Sequence, residues 1–283
     1  MRRILHLSDL HFGRTRPELL EPLLDLARRL APDLVAVSGD LTQRARRGQF
    51  VEAARFLARI EAPWLAVPGN HDISLDNLLV RLLDPWGRYR SLIQDDLSPR
   101  WQDEELTVIG LNTVNRYAHQ SGRIGRRQLR VIAQAAQERP QRTLVVVMHH
   151  PPEHPADSTK PPMRHAGRGV AALVRAGADI VLSGHLHNAR VTPLSAAPGI
   201  LLVQAGTGLS TRLRSEPNTV NLLEIEPGHV RVHRWAAFDR PAYEVIESAR
   251  FLRDLDRPGS PWEMAAHEPC VRPGPAAGPD QST

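Results

Sequence analysis

Three features of this sequence of 283 residues predict an α/β fold. Short apolar runs alternate with helix-patterned segments over the first two-thirds of the chain. After Asn188 the helical patterns stop and short strand-like runs follow one another. Five loops carrying Asp, Asn and His each come directly after a run that reads as a strand. Apolar strands alternating with amphipathic helices bury both faces of a sheet and pack in layers.

In order, residues 3–8 read as the first strand. Residues 17–30 follow as a helix, with Leu19, Leu20, Leu23, Leu24, Leu26, Ala27 and Leu30 on one face and Pro17 in the first turn. Strands at 34–38 and 64–67 flank a helix at 49–60. A short helix is expected at 75–83, a strand at 106–111 and a helix at 125–138. A strand at 143–148, a helix at 169–176 and a strand at 180–183 complete the alternating part. Runs at 190–195, 200–204, 219–225 and 230–235 then predict antiparallel strands, with Pro227-Gly228 as a hairpin turn. Residues 244–255 are expected to pack back as a helix or to mediate homodimer contacts. The domain is expected to end at 257, leaving residues 258–283, rich in Pro and Gly, as a disordered or loosely attached tail.

Composition narrows the function classes. Hydrophobic residues make up 41% and charged residues 24%, as in ordinary globular proteins. The single cysteine, Cys270, excludes a disulfide framework and cysteine-rich metal sites. The net charge is +5, Lys160 is the only lysine, and the arginines are scattered among acids. No run or face of positive charge is visible, and aromatics are only 5%, so dedicated nucleic-acid binding is disfavoured. No stretch approaches the roughly 18 apolar residues of a membrane span. The start, Met1-Arg2-Arg3-Ile4-Leu5-His6, runs straight into a strand. A reduced, soluble, cytoplasmic protein is expected.

The chemistry gathers in Asp9-Leu10-His11, Gly39-Asp40, Gly69-Asn70-His71-Asp72, His149-His150 and Gly184-His185-Leu186-His187. Loops at the carboxyl ends of strands are where α/β sheets build sites. The side chains offered are oxygen and imidazole donors without thiolate, a set that suits Mn²⁺, Fe, Zn²⁺ or Ni²⁺. In the pairs Asp9/His11 and His185/His187, residues two apart in extended backbone project the same way and can chelate together. The donors outnumber the needs of one ion, so two divalent metal ions are expected.

These five elements, in this order over residues 9–187, resemble the calcineurin-like metallophosphoesterase superfamily. The Ser8–Gly13 opening and the His149-His150-Pro151-Pro152 run look closest to class III cyclic nucleotide phosphodiesterases and their glycerophosphodiesterase relatives. The resemblance implies a four-layer α/β/β/α sandwich of two mixed sheets. It implies one metal on Asp9, His11, Asp40 and His187, and a second on Asp40, Asn70, His149 and His185. His71 would stand by the scissile phosphate as general acid or charge stabiliser, with Asp72 orienting it. The implied activity is phosphoester hydrolysis by a hydroxide bridging two ions, Mn, Fe, Zn or a mixed pair. The leading substrate class is a small-molecule phosphodiester of the 3′,5′-cyclic AMP type. A phosphomonoesterase or a nucleotide-sugar or lipid pyrophosphatase on the same core is the alternative. A non-catalytic scaffold is disfavoured by the intact ligand set.

Outside the motifs, His6, His119, His229, His233 and His267 read as structural. Residues 150–165, with His150, His154 and His165, should rim the site, and His150 is expected to contact substrate. Arg14 and Arg44 follow motif loops closely, although surface solvation is the commoner fate of an arginine. Asn112 either reaches the site floor, contacting substrate, or caps a turn.

Overall fold

The segment Leu34–Val37 shows how the chain makes its layers, because all four of its apolar residues are buried. Leu34 and Ala36 join one core, Val35 and Val37 another, as alternation along a strand requires when both faces are covered. The computed structural model describes residues 1–138, 142–156, 158–213, 216–257 and 259–270. Thirteen strands are named within them: β1 (Arg2–Leu7), β2 (Leu34–Val37), β3 (Trp64–Ala66), β4 (Arg100–Gln102), β5 (Leu106–Leu111), β6 (Thr143–Met148), β7 (Ala178–Ser183), β8 (Arg190–Leu194), β9 (Ala197–Gln204), β10 (Asn218–Glu226), β11 (His229–Ala237), β12 (Tyr243–Leu252) and β13 (Glu263–Pro269). They form a seven-stranded sheet, β13-β12-β11-β10-β1-β2-β3, and a six-stranded sheet, β4-β5-β6-β7-β9-β8. Both are mixed: β1, β2 and β3 run parallel, as do β5, β6, β7 and β9, and the outer strands are antiparallel.

Three cores separate four layers. Helices α1 (Leu20–Leu30) and α2 (Arg47–Leu57) pack Leu23, Leu26, Phe50 and Leu57 on the outer face of the first sheet. Between the sheets Ile4, Leu65, Val108, Val147, Leu182 and Phe251 meet. Ile132 of α5 (Arg126–Glu138) and Leu173 of α6 (Ala166–Arg175) cover the second sheet. The expected α/β/β/α sandwich is what the chain forms. Among the described residues, no helix is long and apolar enough to cross a membrane.

Two expectations fail at the carboxyl end. Residues 244–255 do not pack back as a helix; Tyr243–Leu252 is a strand paired on both sides. The register skips Ile246 between the pairs Arg234↔Glu247 and Trp235↔Val245, so a bulge breaks the alternation and hides the period of two. The stretch from 258 is not all loose either. Trp262 is buried and donates its indole N–H to the Asp179 carbonyl at 3.2 Å, and Glu263–Pro269 adds the sheet's last strand. Residues 271–283 lie outside the described residues. Two short elements also escaped the pattern, β4 and a helix at Gly87–Leu92.

Candidate metal centre

Each motif loop leaves the carboxyl end of a parallel strand: Asp9 and His11 after β1, Asp40 after β2, Asn70–Asp72 after β3, His149 and His150 after β6, His185 and His187 after β7. To turn side chains back over the sheet edge, the backbone enters the left-handed region at Asp9 (φ 51°), His11 (50°), Asp40 (52°), His185 (73°) and His187 (66°). Asp and His tolerate this region better than most residues, and strain of this kind gathers at functional sites. The loops are stitched together. Asp9 N–H donates to the Gly39 carbonyl (3.0 Å), His11 N–H to the Asp40 carbonyl (2.9 Å) and Gly184 N–H to the His149 carbonyl (3.1 Å).

Each aspartate has one oxygen anchored and one presented. Asp9 Oδ2 accepts from Ser8 Oγ (2.7 Å) and His185 N–H (3.0 Å), while Oδ1 is buried without a hydrogen-bond partner. Asp40 Oδ1 accepts from His71 N–H (2.8 Å). Its Oδ2 lies 3.3 Å from His149 Nε2 and 3.9 Å from His11 Nε2, between the two sets of imidazoles. On one side Asp9, His11, Asp40 and His187 bring ligand atoms within 4.8 Å of one another; His149, His150 and His185 do the same on the other. Asn70 Oδ1 stands 3.2 Å from His149 Nε2.

The electrostatics follow from burial among few charges. Burial would raise Asp9, but the His187 and His11 imidazoles hold it well below the usual carboxylate range. Asp40 is held down likewise against burial, chiefly by His149. For His149 burial opposes the charged form, yet the Asp40 carboxylate outweighs it and pushes the group up to about 9. Burial, then the neighbouring His150, pushes His185 well down, and its Nε2 has no partner. Buried carboxylate and imidazole atoms without partners are costly unless a cation meets them. The oxygen and imidazole donors therefore fit two divalent ions.

His71 and Asp72 are both here, but not paired as expected. His71 Nδ1–H donates to the Gln43 carbonyl (2.8 Å), which sets the ring, and Nε2 is met by an Arg212 N–H at 3.2 Å. Burial pushes His71 down to about 4. The Asp72 carboxylate instead accepts from Leu41 N–H (3.1 Å), Thr42 N–H (2.8 Å), Thr42 Oγ1 (2.9 Å) and Gly69 N–H (2.9 Å). It ties the loop after β2 to the loop after β3, and burial together with Asp40 raises it to about 6.

His150 is not on a rim. It is 1% exposed, its Nδ1 lies 2.9 Å from Thr113 Oγ1, and its ring centroid is 4.6 Å from that of His185. A ring so enclosed stands with His149 and His185 in the second cluster, its Nε2 buried without a partner. Asn112 caps a turn, its Oδ1 accepting from Val114 N–H at 2.9 Å, so the carbonyl is spent locally. Arg14 is exposed, and Arg44 lies 3.9 Å from Asp76 at the surface. His154 and His165 lie in or beside the loop that leaves the site, His154 with its ring 6.5 Å from His185 and His165 preceding α6. His6, as expected, is structural, with Nε2 2.9 Å from Ser38 Oγ. Sequence reasoning missed Lys160, whose ammonium donates to the His185 carbonyl, and Arg212, whose carbonyl lies 3.3 Å from His187 Nδ1. The signal available for Arg212 was another glycine-bearing loop after a parallel strand, obscured by so many other arginines. A cavity of about 780 Å³ opens beside the centre, lined by His154, Ser158, Leu186, Asn188 and Arg190 among others.

Comparison with known proteins agrees with this geometry. A glycerophosphodiester phosphodiesterase, GpdQ of Enterobacter lignolyticus, is 26% identical over 206 residues, covering 67% of this chain and 72% of the relative. The purple acid phosphatase PPD1 of yellow lupin superposes with a TM-score of 0.67 at 16% identity over 90% of this chain; the chain spans about half of the lupin protein, 54%. A dimetal phosphatase from Danio rerio gives a TM-score of 0.63 at 13% identity, over 87% of this chain and 98% of its own. At these identities the structural likenesses speak for the fold. The sequence profile of the calcineurin-like phosphoesterases matches residues 2–189, and the chain belongs to that family.

Proposed function

We propose that the chain is a two-metal phosphodiesterase of small molecules. One ion would lie on Asp9, His11, Asp40 and His187, the other on Asp40, Asn70, His149 and His185. The observation that carries this reading is Asp40 Oδ2, which faces His149 and His11 at once while Oδ1 is tied to the His71 backbone. Bound there, a pair of ions such as Mn, Fe or Zn would lower the pKa of a water and neutralise phosphoryl oxygens. The chain's own part is placement. Asp9 and Asp40 stay ionised, the loops fix their oxygens, and His71 holds Nε2 toward the centre with its ring 5.0 Å from that of His11. His71 enters neutral, and an anionic phosphoryl group beside Nε2 favours the protonated, donating form that a departing ester oxygen needs. The likeness to GpdQ favours diesters, so glycerophosphodiesters stand beside 3′,5′-cyclic AMP as named candidates.

The test is steady-state hydrolysis by metal-stripped protein reloaded with Mn²⁺, Fe²⁺ or Zn²⁺. The panel is bis-p-nitrophenyl phosphate, p-nitrophenyl phosphate, 3′,5′-cyclic AMP, 2′,3′-cyclic AMP and glycerophosphocholine. Diesters ahead of the monoester support the reading, and the reverse order makes the protein a phosphomonoesterase. His71→Ala keeps both ions and loses about 100-fold in kcat; loss of an ion in that variant would remove His71 from its role.

A further inference from the structure

Arg212 stands in a loop tied by hydrogen bonds to the motif loop that follows the first strand. Its loop, residues 205–213, is laced to the first strand's loop: Gly208 N–H donates to the Ser8 carbonyl (2.9 Å) and Thr211 N–H to the Arg14 carbonyl (2.7 Å). Thr211 Oγ1 donates to the same Arg14 carbonyl (3.0 Å). The Arg212 N–H is taken by Ser210 Oγ (3.0 Å), and its carbonyl lies 3.3 Å from His187 Nδ1, so its backbone is fixed against the first cluster.

The side chain is half-buried and, among the described residues, hydrogen-bonds only to neutral acceptors, His71 Nε2 at 3.2 Å and Gln43 Oε1 at 3.5 Å, both through one terminal nitrogen. Among the described residues no carboxylate pairs with it, whereas Arg2, Arg16, Arg59, Arg234 and Arg253 each meet one. The aspartates nearby face the imidazoles. A guanidinium set into a site without a counter-anion, with its remaining N–H donors uncommitted, suits an anion that arrives with the substrate. Its planar fork matches phosphate oxygens.

We propose that Arg212 is a substrate-binding residue, whose guanidinium takes a non-bridging phosphoryl oxygen beside His71. In the resting protein the same group keeps His71 Nε2 in place. This inference rests on the phosphoester reading of the site, but inorganic phosphate tests it without turnover.

The experiment titrates inorganic phosphate calorimetrically into metal-loaded wild type, Arg212→Gln and Arg212→Lys, with metal content measured first. Both variants keep the backbone bonds of the loop and two ions. Arg212→Gln binds phosphate at least about tenfold more weakly, as loss of a charged hydrogen bond implies. Arg212→Lys restores part of the affinity, and guanidinium added to Arg212→Ala restores part of the lost kcat/KM. Unchanged phosphate affinity in Arg212→Gln, or a loss of activity that tracks loss of metal and that guanidinium does not rescue, overturns the proposal. Diester turnover by wild type with phosphate affinity independent of Arg212 refutes this inference alone. Arg212-dependent phosphate binding without any phosphoester turnover refutes the function and leaves the inference standing.

Discussion

Gly39 offers a direct test of how backbone shape serves the metal centre. It sits at φ +94°, and its carbonyl accepts the Asp9 N–H. A Cβ there would lie 2.8 Å from His149 Nδ1 and 2.9 Å from the Gly69 backbone nitrogen. Neither neighbour has room to yield. Gly69 N–H is held by Asp72 Oδ2 at 2.9 Å, and His149 Nδ1 is bonded to the Ser38 carbonyl at 2.8 Å. The left-handed backbone costs a non-glycine residue about 1–2 kcal/mol. Overpacking adds about 1–3 kcal/mol and loss of the His149–Ser38 bond about 1 kcal/mol, so Gly39→Ala should destabilise by about 3–6 kcal/mol. Gly177 supplies the control, with φ +68° and nothing within 4 Å of a Cβ. Gly177→Ala should cost only the strain, about 1–2 kcal/mol, at the opposite end of β7 from the site. Urea unfolding of both metal-free variants gives the two costs, and metal analysis gives the consequence. Gly39→Ala should bind less than two ions per chain and Gly177→Ala the full complement. Equal costs in the two variants, with metal content intact in both, would refute the claim that Gly39 makes room for His149.

Two further outcomes follow from the same geometry. Asp40→Asn keeps an acceptor for the His71 N–H but removes the charge shared by both clusters. With each ion at 100 times its Kd, chelation should lower wild-type stability by about 2.7 kcal/mol per site. The melting temperature of Asp40→Asn should not respond to chelator, and a wild-type response in that variant would sink the two-ion assignment. His6 is buried, and burial pushes it down to about 3 against the pull of Asp9. In the unfolded chain it protonates near 6.5, so the unfolded state holds one more proton between these values and stability falls as pH drops below 6.5. In metal-free His6→Gln the slope between pH 4 and 5.5 should be shallower by about 1.4 kcal/mol per pH unit, and parallel slopes would contradict the buried, neutral His6.

What the sequence shows, and what it hides, divides along physical lines. Strands buried on both faces stand out because they are apolar throughout, as Leu34–Val37, or after the first residue, as Thr143–Met148. The strand Tyr243–Leu252 alternates only on either side of a bulge, so its polar residues scatter and mimic a helix. The candidate ligands were legible because short motifs follow strands, and the loops bring them together. The contacts around them were not, because they run through backbone carbonyls and N–H groups that almost any residue provides. Gln43 sets the His71 ring with its carbonyl, and the Asp72 carboxylate is consumed by N–H groups of Leu41, Thr42 and Gly69. The Asn112 side-chain oxygen takes the Val114 N–H, one of the two roles that its place after a strand leaves open in the sequence.

Neither proposed set of ligands belongs to one sheet. Asp9, His11 and Asp40 leave the first sheet, and His187, which completes their set, leaves the second. His149 and His185 leave the second sheet, and Asn70 reaches His149 from the first. The separation of the two sets is therefore fixed by the core between the sheets, to which Ala36, Leu65 and Val67 of the first sheet and Val147 and Leu182 of the second belong. That core is close-packed and yields little to small changes. This is why left-handed turns at five candidate ligand residues and partnerless atoms on Asp9 and His185 can persist in a folded chain. Locally each is unfavourable, and the two sheets together over-determine the loops that carry them. A volume change at Val147 or Leu182 should therefore reach the candidate ligands of both sheets at once, although neither residue is itself a candidate ligand.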